Sequence, residues 1–140
     1  MRASKSKPTA DVQQIVDHRL VDLRVGLLHL HKTLLEMERN DFERAHGSLN
    51  SGELLQLVLN HEQFAWLRMV SALVVQIDEM LDADEPITDA DVSNLITGVR
   101  QFFTASENKE FTDKYHAALQ QEPEVVMAHS ALMKLLRSKV

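Results

Sequence analysis

Apolar residues recur in alternating steps of four and three between Asp11 and about Glu43, which predicts one long amphipathic helix. The seam consists of Val16, Leu20, Leu23, Leu27, Leu30, Leu34 and Met37, and a second row of Val21, Leu28, Leu35 and Phe42 widens it. A helix of this length, roughly 50 Å at about 1.5 Å per residue, needs other helices to cover both rows. Gly26 is expected to let one of them approach closely. The helix should end near His46, because Gly47 suits the left-handed position after a helix C-terminus.

A second helix is predicted from about Gly52 to Leu81, and Asn50 with Glu53 has the spacing of a capping box at its start, with Ser51 as a rival cap. One apolar row comprises Leu55, Leu59, Trp66, Val70, Leu73, Ile77 and Met80, and the opposite row comprises Leu54, Leu57, Val58, Phe64, Ala65, Ala72 and Val75. A helix that is apolar on two sides is either central in its own bundle or lends one side to a second subunit, and the pattern leaves both open.

If that helix meets a second subunit, four residues of its first row are the candidates for the contact: Trp66, Val70, Leu73 and Ile77. Trp66 is the best of them, because large aromatic side chains dominate the binding energy of many interfaces.

The remaining chain predicts shorter helices. Thr88 suits the cap of a third helix over about residues 89–104. The polar run from Ser106 to Glu110 favours a break before a fourth helix, although the third could continue through it. Pro123 fits the first turn of a fifth helix.

The predicted fold class is all-α. A short turn between two long helices favours an antiparallel pair, so we expect an up-and-down helical bundle with two long antiparallel helices and two to three shorter ones. Residues 9–140 would form this single domain, and residues 1–8, which lack periodicity, would be a disordered leader.

The composition is that of a soluble globular domain of 140 residues, with 44% hydrophobic and 26% charged residues. The chain has no cysteine, which excludes disulfides and thiolate metal sites. No apolar run approaches the ~20 residues that span a bilayer, and polar residues interrupt any signal peptide, so we expect a cytoplasmic protein without a membrane partner.

The formal net charge of −6 is unevenly distributed. Between Arg68 and Arg100 there is no Lys or Arg, whereas the same stretch carries Asp78, Glu79, Asp82, Asp84, Glu85, Asp89 and Asp91. Basic residues cluster at the two ends: Arg2, Lys5, Lys7, Lys134, Arg137 and Lys139. An acidic body repels phosphate backbones, so nucleic acid is not an expected partner.

Two of the seven histidines lie in the middle of predicted apolar sides. His61 and His129 are therefore expected to face the core, where each needs a hydrogen-bond partner. They are either satisfied core or interface histidines or part of a pocket for haem, a metal or a small ligand. The candidates for their polar partners are Glu62, Tyr115 and Arg68. No cofactor is predicted. Di-iron bundles use paired Glu-x-x-His turns, and here only Glu43 to His46 has that spacing, at a helix end. Asp113 to His116 is a weaker analogue.

Catalytic motifs are missing from the sequence. It contains no nucleophile elbow, Gly-rich phosphate loop or His-Glu-x-x-His motif, and no carboxylate pair falls on a predicted core face. The acidic loop fails as a calcium site, since Pro86 and Ile87 stand where a ligand and a glycine are needed.

We expect a non-catalytic helical module that acts through protein–protein contacts, most simply as a homodimer. The alternative is a bundle that binds a metal, haem or small ligand through His61 and His129.

Three segments resemble small helical bacterial proteins of unknown function: Ser51-Gly52-Glu53-Leu54-Leu55, Phe64-Ala65-Trp66-Leu67 and Pro123-Glu124-Val125-Val126-Met127-Ala128-His129. The resemblance covers most of the chain after Leu34. It implies a helical bundle and no particular activity, cofactor or site.

Overall fold

A computed structural model describes residues 10–137, and within this range every regular element is helical. The elements are α1 (Ala10–His46), α2 (Ser51–Asn60), a 3₁₀ segment (Glu62–Leu67), α3 (Arg68–Asp82), α4 (Asp89–Thr104), α5 (Lys109–Gln121) and α6 (Pro123–Arg137). The predicted all-α class is confirmed. The predicted leader, residues 1–8, lies outside the described range. No helix between residues 10 and 137 combines the length and the apolar character needed to cross a membrane.

The long first helix is confirmed, and its seam forms one wall of the core. All seven seam residues are buried. The second row is only partly covered: Leu35 and Phe42 pack against the core, whereas Val21 and Leu28 are 41% and 40% exposed. The helix ends as predicted, because Gly47 adopts φ +93° and its N–H donates to the carbonyl oxygen of Glu43 at 2.8 Å.

The single helix predicted from Gly52 to Leu81 is wrong. The capping box of Asn50 and Glu53 starts α2 as expected, but the helix ends at Asn60 and His61 is extended. The 3₁₀ segment follows, and α3 begins only at Arg68. Consequently there is one long helix of 37 residues in the described chain, not two.

The 3₁₀ segment explains the double apolar pattern of this region. It packs against α1, α3 and α5, and three of its side chains are buried: Phe64, Trp66 and Leu67. Phe64 reaches Phe42 on α1 with ring centroids 6.1 Å apart, and Trp66 reaches Phe111 on α5 at 5.7 Å. The central position that the pattern allowed is therefore occupied by six residues and not by a whole helix.

Helices α3 and α6 cover α1 from two sides. On the α3 side, Arg24 pairs with Asp78 and His31 meets Ser71, so the contacts run in opposite order along the two helices. On the α6 side, a Cβ at Gly26 would lie only 3.0 Å from a methyl carbon of Leu135. The close approach expected at Gly26 is confirmed.

The predicted break near Ser106 is also confirmed, since α4 ends at Thr104 and α5 begins at Lys109. The cap is Asn108, whose side chain accepts the N–H of Phe111, and the Ser106 hydroxyl accepts the N–H of Asn108. Pro123 opens α6 as predicted. The buried side chains of all these elements join in one hydrophobic cluster.

Candidate functional site

The residues predicted for a subunit contact lie mostly inside the chain's own core. Trp66, Val70 and Ile77 are at most 1% exposed, and Leu73 is partly buried against the same core. Side chains without accessible surface have none left to bury against a second subunit, so these four residues offer little area for such a contact.

Trp66 has a polar partner that the sequence did not reveal. Its indole Nε1–H donates to a carboxylate oxygen of Glu38 at 2.6 Å, and the side-chain amide of Gln63 donates to the other oxygen at 3.1 Å. Glu38 is only 8% exposed, the one charged side chain among the buried residues between 13 and 137. A buried carboxylate needs such donors, and here it links α1 to the 3₁₀ segment. Glu38 follows the seam residue Met37 in sequence, and nothing in the sequence pattern predicted that its carboxylate would be buried.

His61 is not a core histidine. Its ring is exposed, and Nδ1 accepts the backbone N–H of Gln63 at 3.0 Å, which caps the 3₁₀ segment. The ring also stands edge-on to Phe42 with centroids 5.4 Å apart. Its function is therefore structural: it satisfies a donor at the point where α2 stops.

His129 is half-buried and has one of the partners considered for it. Its Nδ1 lies 2.7 Å from the hydroxyl oxygen of Tyr115 across the contact of α5 with α6. Burial, and in second place the charge of the neighbouring His116, lower the pKa of His129. Burial also raises the pKa of Tyr115. Both shifts favour the neutral forms, as expected for a hydrogen-bonded pair within an apolar contact.

The two candidate histidines do not share a site. His61 contacts Phe42 and caps the 3₁₀ segment, whereas His129 meets Tyr115 between α5 and α6. Within residues 13–137, no three His, Asp or Glu side chains are grouped closely enough to hold a metal ion. The geometry thus gives no support to a metal or haem site built on this pair.

His31 was not singled out by the sequence, although it lies in the contact of α1 with α3. Its Nε2 is 3.0 Å from the hydroxyl of Ser71, and burial lowers its pKa. Its position beside the seam residue Leu30 is the only sequence signal for this contact.

The surface feature that stands out is an outward-facing set of aliphatic side chains on α1 and α3. We call it the α1–α3 face and define it as Val21, Val25, Leu28 and Val75, which are 40–57% exposed. The pairs Arg24–Asp78 and His31–Ser71 set the register of the helices, and by this register Val75 falls beside Leu28. The sequence pattern predicted that later helices would cover Val21 and Leu28. The structure leaves both exposed, which periodicity alone did not predict.

Charged side chains border the α1–α3 face along α1. Asp22 precedes Val25 and Lys32 follows Leu28, and both are exposed. The two are ten residues apart, or about 15 Å along the helix. The face is thus apolar in the middle, acidic at one end and basic at the other.

A smaller apolar area lies on α2, which has no fully buried residue. Leu54, Leu57 and Val58 pack partly against the core, while Leu55 and Leu59 point away from it and are 55% and 56% exposed. These two side chains lie one turn apart on a single short helix, so they offer less continuous surface than the α1–α3 face.

Comparisons of the chain with protein-family models, with curated proteins and with solved structures gave no significant match. The resemblance to small helical bacterial proteins therefore stays an expectation from the sequence.

Proposed function

We propose that this protein is a non-catalytic helical module that acts through protein–protein contacts and associates with a second copy of itself. The observation that carries the proposal is the α1–α3 face, where four aliphatic side chains stay open to solvent on two helices held in register. A single exposed apolar side chain is ordinary on a protein surface, whereas a contiguous exposed apolar patch often marks an interaction site. The reversed contact order of α1 and α3 also supports an up-and-down arrangement of the bundle.

The charges at the ends of the face favour a second copy as the partner. A twofold axis through the region between Val25 and Leu28 would set two α1 helices antiparallel. Asp22 of each copy would then lie beside Lys32 of the other, while the aliphatic side chains meet in the middle. Pairing of opposite charges at the rim fixes the register of such a contact more than it adds affinity.

The oligomeric state measured by sedimentation velocity, from micromolar to millimolar protein, tests the proposal. We expect a reversible monomer–dimer equilibrium that Val25→Glu with Leu28→Glu shifts entirely to monomer, because these substitutions would bury unpaired charges in the contact. The matched control is Leu55→Glu with Leu59→Glu, which adds the same charge at two exposed aliphatic positions of α2 and should leave the equilibrium unchanged.

Charge reversal tests the orientation of the two copies. Asp22→Lys and Lys32→Glu should each weaken the dimer, because like charges then face each other, and the double variant should restore it. A strictly monomeric parent protein at millimolar concentration, or a dimer that persists in the Val25→Glu, Leu28→Glu variant, would refute the proposed contact.

A further inference from the structure

A cleft of about 720 Å³ opens between the end of α3, the loop that follows it and the start of α4. Its apolar lining includes Met80, Pro86 and Leu95, and it continues into a second depression that reaches the first turns of α1. The two depressions share Met80 and residues of the loop, so they form one groove that crosses this end of the bundle.

The charged side chains that line this groove are all acidic. They are Asp17, Asp84, Glu85 and Asp91. None of the four forms an ion pair with any residue in the described range 13–137. An apolar floor between unneutralised carboxylates is complementary to an extended segment that carries cations and small apolar side chains.

The chain itself contains such a segment, joined in sequence to α1, whose residues Gln13 and Asp17 line the groove. Residues 1–9, which precede the first described residue, contain Arg2, Lys5 and Lys7, no acidic residue, and the apolar Met1, Ala3 and Pro8. The side-chain amide of Gln13, one turn into α1, donates to the carbonyl oxygen of Ile87 in the groove wall at 3.4 Å. Nine residues span at most about 30 Å when extended, which is enough to lie along the groove.

We propose that the basic segment Met1–Thr9 binds in this groove on its own chain, with its cations facing Asp17, Asp84, Glu85 and Asp91. Covalent attachment next to the groove gives the segment a high effective concentration, so contacts that are weak one by one suffice to hold it. The same groove would then accept a basic peptide of another protein only after the chain's own segment has left.

Paramagnetic relaxation enhancement in the full-length protein tests this placement, and the lack of native cysteine allows labelling at a single introduced site. A nitroxide on Ser4→Cys should cause a selective loss of amide signal intensity for residues 83–95 at low salt. The loss should disappear near 1 M salt, where the screening length falls to about 3 Å. A label on Ser48→Cys, at the other end of α1 and about 55 Å away along the helix, should leave these signals unchanged.

Charge exchange supplies the specific control. Asp84→Lys with Glu85→Lys should abolish the signal loss, and so should Lys5→Glu with Lys7→Glu. Combining all four substitutions should restore the signal loss. Glu107→Lys with Glu110→Lys, which reverses one exposed charge on the α4–α5 connection and one in the first turn of α5, should have no effect.

Two outcomes would overturn the proposal: signal loss spread evenly over the surface, or selective loss that ignores both salt and charge exchange. A selective loss that appears only when labelled and isotope-enriched chains are mixed would assign the groove to the segment of a second copy instead. The Val25→Glu, Leu28→Glu variant should keep the intramolecular signal loss, so failure of the proposed dimer and failure of this placement give different results.

Discussion

The hydroxyl oxygen of Tyr115 on α5 lies 2.7 Å from Nδ1 of His129 on α6, and this contact joins the two helices. The phenol ring stacks on Phe111 with centroids 5.3 Å apart, so the hydroxyl is held at the edge of the aromatic core. A half-buried imidazole and a buried phenol thereby satisfy each other.

Removing this hydroxyl should weaken the protein measurably. Tyr115→Phe keeps the ring packing but leaves the imidazole nitrogen without its partner, and we expect a loss of about 1 kcal/mol in the free energy of unfolding. Urea denaturation followed by circular dichroism measures it. A double-mutant cycle with His129→Leu should show coupling between the two positions, whereas additive effects would contradict a direct hydrogen bond.

Stability should fall as the pH drops below about 6.5, the ordinary pKa of histidine. Burial lowers the pKa of both His31 and His129 in the folded protein, so between the folded and unfolded values the unfolded chain binds more protons. Stability therefore rises with pH through this window and is complete above it. Urea midpoints at pH 7.5, 6.5 and 5.5 test this.

The histidine variants assign the pH effect. His31→Gln and His129→Gln should each flatten the pH dependence of the urea midpoint. His29→Gln, an exposed histidine on α1, should leave the slope as it is in the parent protein. An unchanged slope in the combined His31, His129 variant would contradict the assignment.

Glu38 should matter for stability although it is not near any proposed binding surface. Glu38→Leu leaves the buried Nε1–H of Trp66 without an acceptor, and we expect a loss of about 1–3 kcal/mol. Trp66 is the only tryptophan, so its fluorescence follows unfolding directly and should also change in the folded state. Glu36→Leu, two residues away and exposed, is the control and should change stability by no more than about 0.5 kcal/mol. Equal effects of the two substitutions would argue against the carboxylate's role.

Two helical glycines should respond in different ways to alanine. Gly98 on α4 has open space around it, so Gly98→Ala should stabilise the protein by about 0.5–1 kcal/mol through helix propensity alone. At Gly26 the new methyl would meet Leu135 at 3.0 Å and Leu132 at 3.4 Å, which offsets that gain. Thermal unfolding of the two variants should rank Gly98→Ala above Gly26→Ala. The reverse order would mean that α6 does not approach α1 closely at Gly26.

The role of His61 as a cap is also testable. His61→Ala should destabilise the protein by about 1 kcal/mol, because the N–H of Gln63 loses its acceptor. His61→Asp should retain most of the stability, since a short carboxylate caps in the same way. Equal loss in both variants would favour the contact of the imidazole with Phe42 over the hydrogen bond.

The sequence by itself determined the features that depend on neighbours along the chain. The seam of α1, the left-handed Gly47, the capping box of Asn50 and the start of α6 at Pro123 all follow from spacing or from the backbone preferences of single residues. Such local signals need no knowledge of what lies across the core.

Only the tertiary structure decided how the region from Gly52 to Leu81 divides into helices and which of its side chains are buried. Periodicity shows that a side chain is apolar but not how many elements surround it, so a 3₁₀ segment enclosed by α1, α3 and α5 looked like part of a two-sided helix. For the same reason, Trp66 was the best candidate for an interface and His61 was expected in the core, whereas Glu38 passed unnoticed. Burial depends on packing between segments distant in the chain, and that is the information a one-dimensional pattern lacks.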